Sequence, residues 1–452
     1  MPANDRFDGS PRRLNNGAQP GRSMLGFLLD LIGLSLALWI GISSPTPAAP
    51  QGFGAETKGG LSGQIVRVTT LEPDGPGSLH DAIEMKGPRL VVFEVGGQIA
   101  LTDELIIRNP NVTLAGQTAP SPGITLVGAG VIIKTHDVVL EHLRIRIGDG
   151  PGPSAENRDG ISIVGKPLGD RQIYNVLIDN CSVAWSIDEG IAFIYPGVTQ
   201  STVRDTIIAE SLSHSLHPKG PHSMALLVGT GARNIAILNN LFAHNTYRNP
   251  VVGADASAFV ANNLIYDFGL QAIHVYGEKR LPAPTLVAVG NVGILGPSNR
   301  GRSGLIFIPK SANPNTKLYL NDNIGPDGTA IDNYLSFAEG APRLELVNAP
   351  PLWPDGFKPS SAATLESSLL DTVGAWPAQR DSTDRRIVAQ VQGRSGTIID
   401  SPKQVGGLDT TNVTGHTLTI PGESLQVGSE AREALLSEWL EARRRAIGDY
   451  DD

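Results

Sequence analysis

From Ile65 onward, short apolar and β-branched runs alternate with clusters of Gly, Asn, Asp and Pro, and helical periodicity is absent until the end of the chain. Alternating runs of this length predict half-buried strands. They also repeat. Val176–Val183 (VLIDNCSV), Ser201–Ile208 (STVRDTII), Ile235–Phe242 (IAILNNLF) and Ala258–Ile265 (AFVANNLI) each carry a strand into a polar corner and on into a second apolar run. Leu286–Gly293 and Leu318–Gly325 are looser copies. The corners Asn180, Asp205, Asn239, Asn262, Gly290 and Asp322 are separated by 25, 34, 23, 28 and 32 residues. A period of this size, built of strands and turns alone, is a solenoid pattern. A regular Leu framework is missing, and the spacing is too short for propeller blades of about 40–45 residues. The pattern therefore predicts an all-β parallel β-helix, with three short strands per rung and longer insertions leaving one face. At the corners, Asn and Asp tolerate the left-handed backbone and can hydrogen-bond along the stack, which is a structural role.

Two segments break the strand pattern. Ser78 and Asp81 match a capping box and predict a short helix covering one end of the solenoid. Ser429–Gly448 reads as a terminal amphipathic helix, with Leu435, Leu436, Trp439 and Leu440 on its apolar side and Arg443–Arg445 in its last turn. The repeat region spans 51–345. Residues 346–425 are expected to run along the outside of the solenoid, and 426–452 to form the helix and tail. At the other end, 1–23 is a polar leader. The apolar run in 24–50 reads as an export signal or a membrane anchor followed by a Pro-rich linker, which places the protein outside the cell or in its envelope. Its uninterrupted part, Leu31–Ile42, suits a signal better than a membrane span.

Composition narrows the classes. With 52 Gly and 33 Pro a helical bundle is excluded, and 40% apolar residues exclude general disorder. A net charge of −9 argues against a nucleic-acid surface. The single cysteine, Cys181, excludes an internal disulfide and reads as a small core residue. Stacked, capped rungs need no partner, so a monomer is expected.

Three polar clusters interrupt the rungs. Gly148–Gly160 ends in Asn157-Arg158-Asp159-Gly160, the second cluster is Trp185–Gly190, and the third is His214–His222, followed by Arg248-Asn249-Pro250. Asp159, Glu189, Lys219 and Arg248 follow one another at intervals of 30, 30 and 29 residues, so a solenoid can bring them to one face of neighbouring rungs. Carboxylates beside a Lys and an Arg form a site for a cation and an anionic ligand. His214, His217 and His222 lack the neighbouring carboxylate or Cys expected of a zinc site, and structural or substrate-facing roles suit them better. Trp185 and Tyr247 are candidates for stacking on a sugar ring, with packing the stronger reading for Trp185.

The chain resembles the pectate lyase family of polysaccharide lyases, in its bacterial secreted branch. The resemblance runs over about 52–407. It is carried by Gly54–Gly60, Gly75–Leu79, Asn111–Pro120 (NVTLAGQTAP), Ile178–Glu189 (IDNCSVAWSIDE), the His/Lys segment, Asn240–Pro250 (NLFAHNTYRNP) and Arg380–Arg386 (RDSTDRR). It implies a right-handed parallel β-helix that cleaves polygalacturonate by calcium-dependent β-elimination. In that pattern Asp159, Asp188 and Glu189 match the calcium-site acids. Lys219 matches the substrate-binding lysine, and Arg248, in Arg-x-Pro, matches the arginine that removes the proton. His217, His222 and Trp185 stand as further substrate-binding candidates. The chain departs from the pattern at Gly253, where a second arginine is usual, at Phe193, where a second acid is usual, and at Asn180, where a His is usual.

The implied substrate is pectate or another uronate polymer and the implied cofactor is Ca²⁺. Two other readings compete: a glycoside hydrolase on the same fold, which needs two positioned carboxylates, and a carbohydrate-binding protein without activity.

Overall fold

The computed structural model describes residues 51–166, 172–278, 280–301, 304–326, 335–410 and 412–448. The leader and the signal or anchor read in 1–50 lie outside them. Within the described residues the chain forms three long sheets of ten, nine and nine strands, and in each sheet every neighbour is one coil further along the chain. Pairing is parallel throughout, except for Thr414–Gly415, which closes one end of the third sheet antiparallel to Val95–Ala100. This is a parallel β-helix.

One side of every strand fills the interior. Val176, Ile178, Val203, Ile235, Ile237, Val260 and Leu286 of the first sheet meet Ile161, Ile191, Phe193 and Val228 of the second and Val183, Ile208, Phe242 and Ile265 of the third in one continuous core. Phe193 therefore faces the core, stacked between Ile163 and Val228. An acid at that position would have pointed away from the site.

All six predicted corners adopt the left-handed backbone: Asn180, Asp205, Asn239, Asn262, Gly290 and Asp322 have φ between 45° and 67°. The stacking hydrogen bonds, however, come mainly from the residue after the corner. The backbone N–H of Asn240 donates to Asn263 Oδ1 at 2.9 Å, that of Asn263 to Asn291 Oδ1 at 3.1 Å, and that of Asn291 to Asn323 Oδ1 at 3.0 Å. Each side-chain amide also donates to a carbonyl of the preceding rung, such as Asn263 Nδ2 to Ile237 O at 2.9 Å. These amides are wholly buried and fully paired, the condition under which a polar ladder is tolerated inside a core.

The segments that leave the repeat cover two of the three outer faces. Helix α1 (Leu79–Glu84), N-capped by Ser78 through Asp81 N–H, buries Leu79, Ala82 and Ile83 against the first coil. Helices α2 (Ala362–Thr372) and α3 (Ser382–Gln392) pack Leu365, Leu369, Ile387 and Val391 on Ile207, Leu241 and Leu264 of the third sheet. The Arg380–Arg386 stretch anchors α3. Arg146, 1% exposed, donates to Asp384 at 2.7 Å and Asp381 at 3.1 Å, while Ser182 Oγ donates to Asp384 at 2.7 Å. Outside the first sheet, Trp353 and Phe357 cover Phe259, Ala55 covers Val139 and Leu177, and Leu436 of α4 (Glu430–Ile447) joins Leu90 and Val92. Arg444 of α4 bonds Glu141 at 2.7 Å and Asp179 at 3.0 Å, so this helix-end arginine is a clamp onto the coil. The second sheet carries the polar clusters.

Candidate active site

Each site residue sits where a strand of the second sheet begins, or in the loop feeding it. Asp159 precedes strand Ile161–Val164, and Asp188 and Glu189 open strand Glu189–Ile194. His217, Lys219 and His222 lie in the insertion before strand Met224–Val228, and Arg248 precedes Val251–Val252. Strand register stacks these starts, so residues about 30 apart in sequence become neighbours across the sheet.

Asp159, Asp188 and Glu189 each offer a carboxylate oxygen, and the three lie within 4.8 Å of one another. Asp159 accepts from Glu189 N–H at 2.9 Å and from Ser162 Oγ at 2.5 Å. Burial, and then the charge of Asp188, pushes the Asp159 carboxyl well above its ordinary range. Asp188 is also raised by burial, against the pull of His217, His222, Arg248 and Lys219. Three acids held this close, two of them reluctant to ionise, are short of positive charge. Oxygen donors with this separation suit a hard cation bonded at roughly 2.3–2.6 Å, so the donor set fits calcium.

Arg248 crosses this cluster. Its guanidinium donates to Glu189 and lies 5.7 Å from the Tyr247 ring centre. Burial lowers its pKa from the ordinary value, opposed by Asp188, Tyr276 and Asp159. Its backbone is left-handed at φ 61°, a conformation that costs a side chain about 1–2 kcal/mol and is concentrated at functional sites.

The histidines form a wall against Asp188. His217 and His222 stack with ring centres 3.3 Å apart, and their Nε2 atoms lie 3.8 and 3.6 Å from the Asp188 oxygens. His217 Nδ1 accepts from Lys219 N–H, which leaves a proton on Nε2, 3.3 Å from the Glu156 carbonyl. His217, His222 and Asp188 also bring three possible ligand atoms within 4.8 Å of one another. His222 Nδ1 donates to Gly220 O at 2.9 Å. Lys219 is 68% exposed and pairs with Glu156 at 3.0 Å at the rim, while contributing to the field on Asp188. The fold thus gathers Asp159, Asp188, Glu189, Arg248, His217 and His222 at one centre and leaves Lys219 above it.

Trp185 is not at the surface. It is 1% exposed, and its indole N–H donates to the buried Glu210 at 2.9 Å, so it belongs to the core and cannot stack on a sugar. Glu210 in turn holds Arg386 at 2.8 Å, which ties the Trp to the α3 anchor.

Three features of the site were not singled out from sequence. Ser162 orients Asp159, and Glu156 holds Lys219. Tyr276 lies on Gly253, where an added Cβ would come 2.5 Å from its phenol oxygen. Ser162 had a usable signal, since it follows Asp159 by three residues on one strand start. The contact of Tyr276 with Gly253 had none.

No family model matches the sequence. Relatives matched over about four-fifths or more of their length are clear. The protein named "Probable pectate lyase C" of Neosartorya fischeri is 31% identical over 399 residues, covering 85% of this chain and 86% of that one. The protein of the same name from Aspergillus flavus is 32% identical over 364 residues, covering 79% and 80%. These relatives are fungal. The crystal structure of Jun a 1, the major allergen from cedar pollen, shares the fold with a TM-score of 0.51 at 18% identity, covering 70% of this chain and 90% of its own. With the β-helix, the acid cluster and identity sustained along most of the relatives' length, the chain belongs to the pectate lyase family.

Proposed function

We propose that the protein is a polysaccharide lyase that cleaves pectate, a polygalacturonate, by β-elimination, with Arg248 as the base. The single observation that supports this most is the Arg248 guanidinium lying on an acid cluster fit for a hard cation, on the second sheet. The proton on C5 of a galacturonate ring is α to a carboxylate and so weakly acidic. Its removal by Arg248 leaves the C5–H electron pair to form the C4=C5 bond. The C4–O4 bond breaks with its electrons on O4, which takes a proton from water.

An arginine acts as a base only in its neutral form, and burial moves Arg248 in that direction. Asp159, Asp188 and Glu189 would hold the calcium ion, which supplies positive charge to the substrate carboxylate when bound. Lys219, at the rim, is placed to attract the anionic polymer, and His217 and His222 line the same side. Residues 51–345 would form the catalytic domain, and the 24–50 segment would carry export to the cell envelope or exterior.

The test is ultraviolet absorbance of the unsaturated product from polygalacturonate, with calcium and then with chelator. A calcium-dependent rise that Arg248→Ala abolishes supports the reading. New reducing ends without absorbance would replace it with hydrolysis, and binding without turnover would replace it with a carbohydrate-binding role.

A further inference from the structure

The sequence offers His217 and His222 no neighbouring carboxylate, but the fold supplies one from the preceding rung. Asp188 stands at the start of strand Glu189–Ile194, which pairs in register with Met224–Val228, the strand that follows the histidines. Both imidazoles approach the carboxylate through Nε2, His222 at 3.6 Å from Oδ1 and His217 at 3.8 Å from Oδ2. One ligand atom from each of the three residues thus falls within a sphere that a single ion can span.

The backbone holds the pair in place. His217 and His222 flank the turn Pro218-Lys219-Gly220-Pro221, closed by Gly220 N–H to His217 O at 3.1 Å with Gly220 at φ 94°. His222 N–H donates to Ser213 O at 3.0 Å, which ties the second histidine back to the start of the insertion. The rings stack on each other and are nearly closed to solvent, with side chains 1% and 9% exposed. Because His222 Nδ1 donates to Gly220 O, the neutral ring carries its lone pair on Nε2. Among the described residues that nitrogen makes no hydrogen bond, and the oxygen it faces is an acceptor only when ionised. Two buried acceptors set against each other call for a positive centre between them. The nearby side-chain cations are engaged elsewhere, Arg248 with Glu189 and Lys219 with Glu156.

The donor set selects the class of ion. Imidazole nitrogen suits zinc and its first-row neighbours, whereas calcium takes oxygen ligands. Around tetrahedral zinc, with bonds of roughly 2.0–2.2 Å, neighbouring ligand atoms stand about 3.4 Å apart. The observed 3.6 and 3.8 Å separations are close to that spacing. His217 joins by exchanging tautomer: its proton passes from Nε2 to Nδ1, and the N–H of the exposed Lys219 turns from Nδ1 to water.

We propose that Asp188, His217 and His222 form a second divalent-metal site, for zinc or an ion of its class, beside the acid cluster and sharing Asp188 with it. The site does not depend on the lyase reading. Since Asp188 is common to both ligand sets, loading either ion weakens the binding of the other.

The test is calorimetric titration of the metal-stripped full chain with Zn²⁺, for the wild type and for His222→Gln, Asp188→Asn and His214→Gln, each checked for folding by circular dichroism. The wild type should bind zinc at this site. Losing even an outer-shell partner costs about 10–100-fold in metal affinity, so His222→Gln and Asp188→Asn should each weaken binding by at least about 100-fold. His214→Gln, which removes an exposed histidine paired with Asp400, should leave it unchanged. A wild type that takes up no zinc overturns the proposal, as does zinc binding that survives His222→Gln or is lost with His214→Gln. Saturating zinc should also diminish the rise in Tm on adding calcium, and an undiminished rise would overturn the sharing of Asp188. A chain that binds zinc through these residues but neither responds to calcium nor cleaves pectate would overturn the lyase reading and leave this site standing.

Discussion

The Arg248 guanidinium donates to the Glu189 carboxylate, although the two residues start strands two rungs apart on the second sheet. The proposed base is thus held by one of the acids proposed to bind the cation, so loading the cation and freeing the base are linked. Arg248→Ala should lower kcat by at least about 10²-fold, the scale of a lost general base. Because burial lowers the Arg248 pKa, the neutral fraction and the rate should rise with pH on the alkaline side. A pH–rate profile with no alkaline limb would remove Arg248 from the base role.

Asp188→Asn separates two effects of the acid cluster. It removes charge that Asp159 resists, so the metal-free protein should be no less stable, while the rise in Tm on adding calcium should largely disappear. Thermal unfolding with calcium and with chelator measures both. An undiminished calcium shift in the variant would take Asp188 out of the ligand set.

His142 is fully buried and bonded to Ala375 O at 2.8 Å, and burial pushes its pKa from 6.5 to about 3. Between those values the unfolded chain binds the extra proton. The stabilising contribution is therefore complete above pH 6.5 and is lost as pH falls toward 3. His142→Gln should flatten the stability–pH slope in that window by up to about 1.4 kcal/mol per pH unit. Urea unfolding across the window reads this directly, with the His274 contribution common to both proteins.

Asn263→Ala should cost at least about 2 kcal/mol, because it strands the Asn240 backbone N–H and the Ile237 carbonyl inside the core and leaves the Asn240 amide with its Val203 bond alone. A loss below about 1 kcal/mol in equilibrium unfolding, one hydrogen bond's worth, would mean the ladder relaxes around the gap.

Arg444→Ala leaves Glu141 without its ion-pair partner and Asp179 with Arg204 alone. Breaking a buried pair costs about 3 kcal/mol, here concentrated where α4 meets the coil. Hydrogen exchange should quicken throughout α4 and not in the interior strands.

The coils were legible because their corners demand a special backbone. Few residue types accept φ near 50°, so Asn, Asp and Gly mark those positions locally. The buried ladder one residue later was less visible, since Asn240, Asn263 and Asn291 sit beside corner residues of the same type and only the stacking separates their roles. The acid centre was legible through the 30-residue interval, which the register converts into proximity. The same arithmetic brought in Lys219, yet its insertion bulges from the sheet and leaves it at the rim. Trp185 misled in a different way. An aromatic three residues before Asp188 looks the same whether it turns to the substrate or to Glu210, and its φ of 67° has no sequence marker. Gly253 read as a missing arginine, when its lack of a side chain is what admits Tyr276.

The asparagine ladder also constrains how such a chain can change length. Each side chain spans one strand spacing and bonds its counterparts above and below, so a partial coil inserted between Asn263 and Asn291 would put an apolar residue opposite two amides. Whole coils can be added or lost with the ladder intact, and loops can grow freely where they leave the second sheet. Chimeras that exchange complete corner-to-corner units should therefore fold, while those joined mid-coil should not, and specificity could be transplanted one coil at a time.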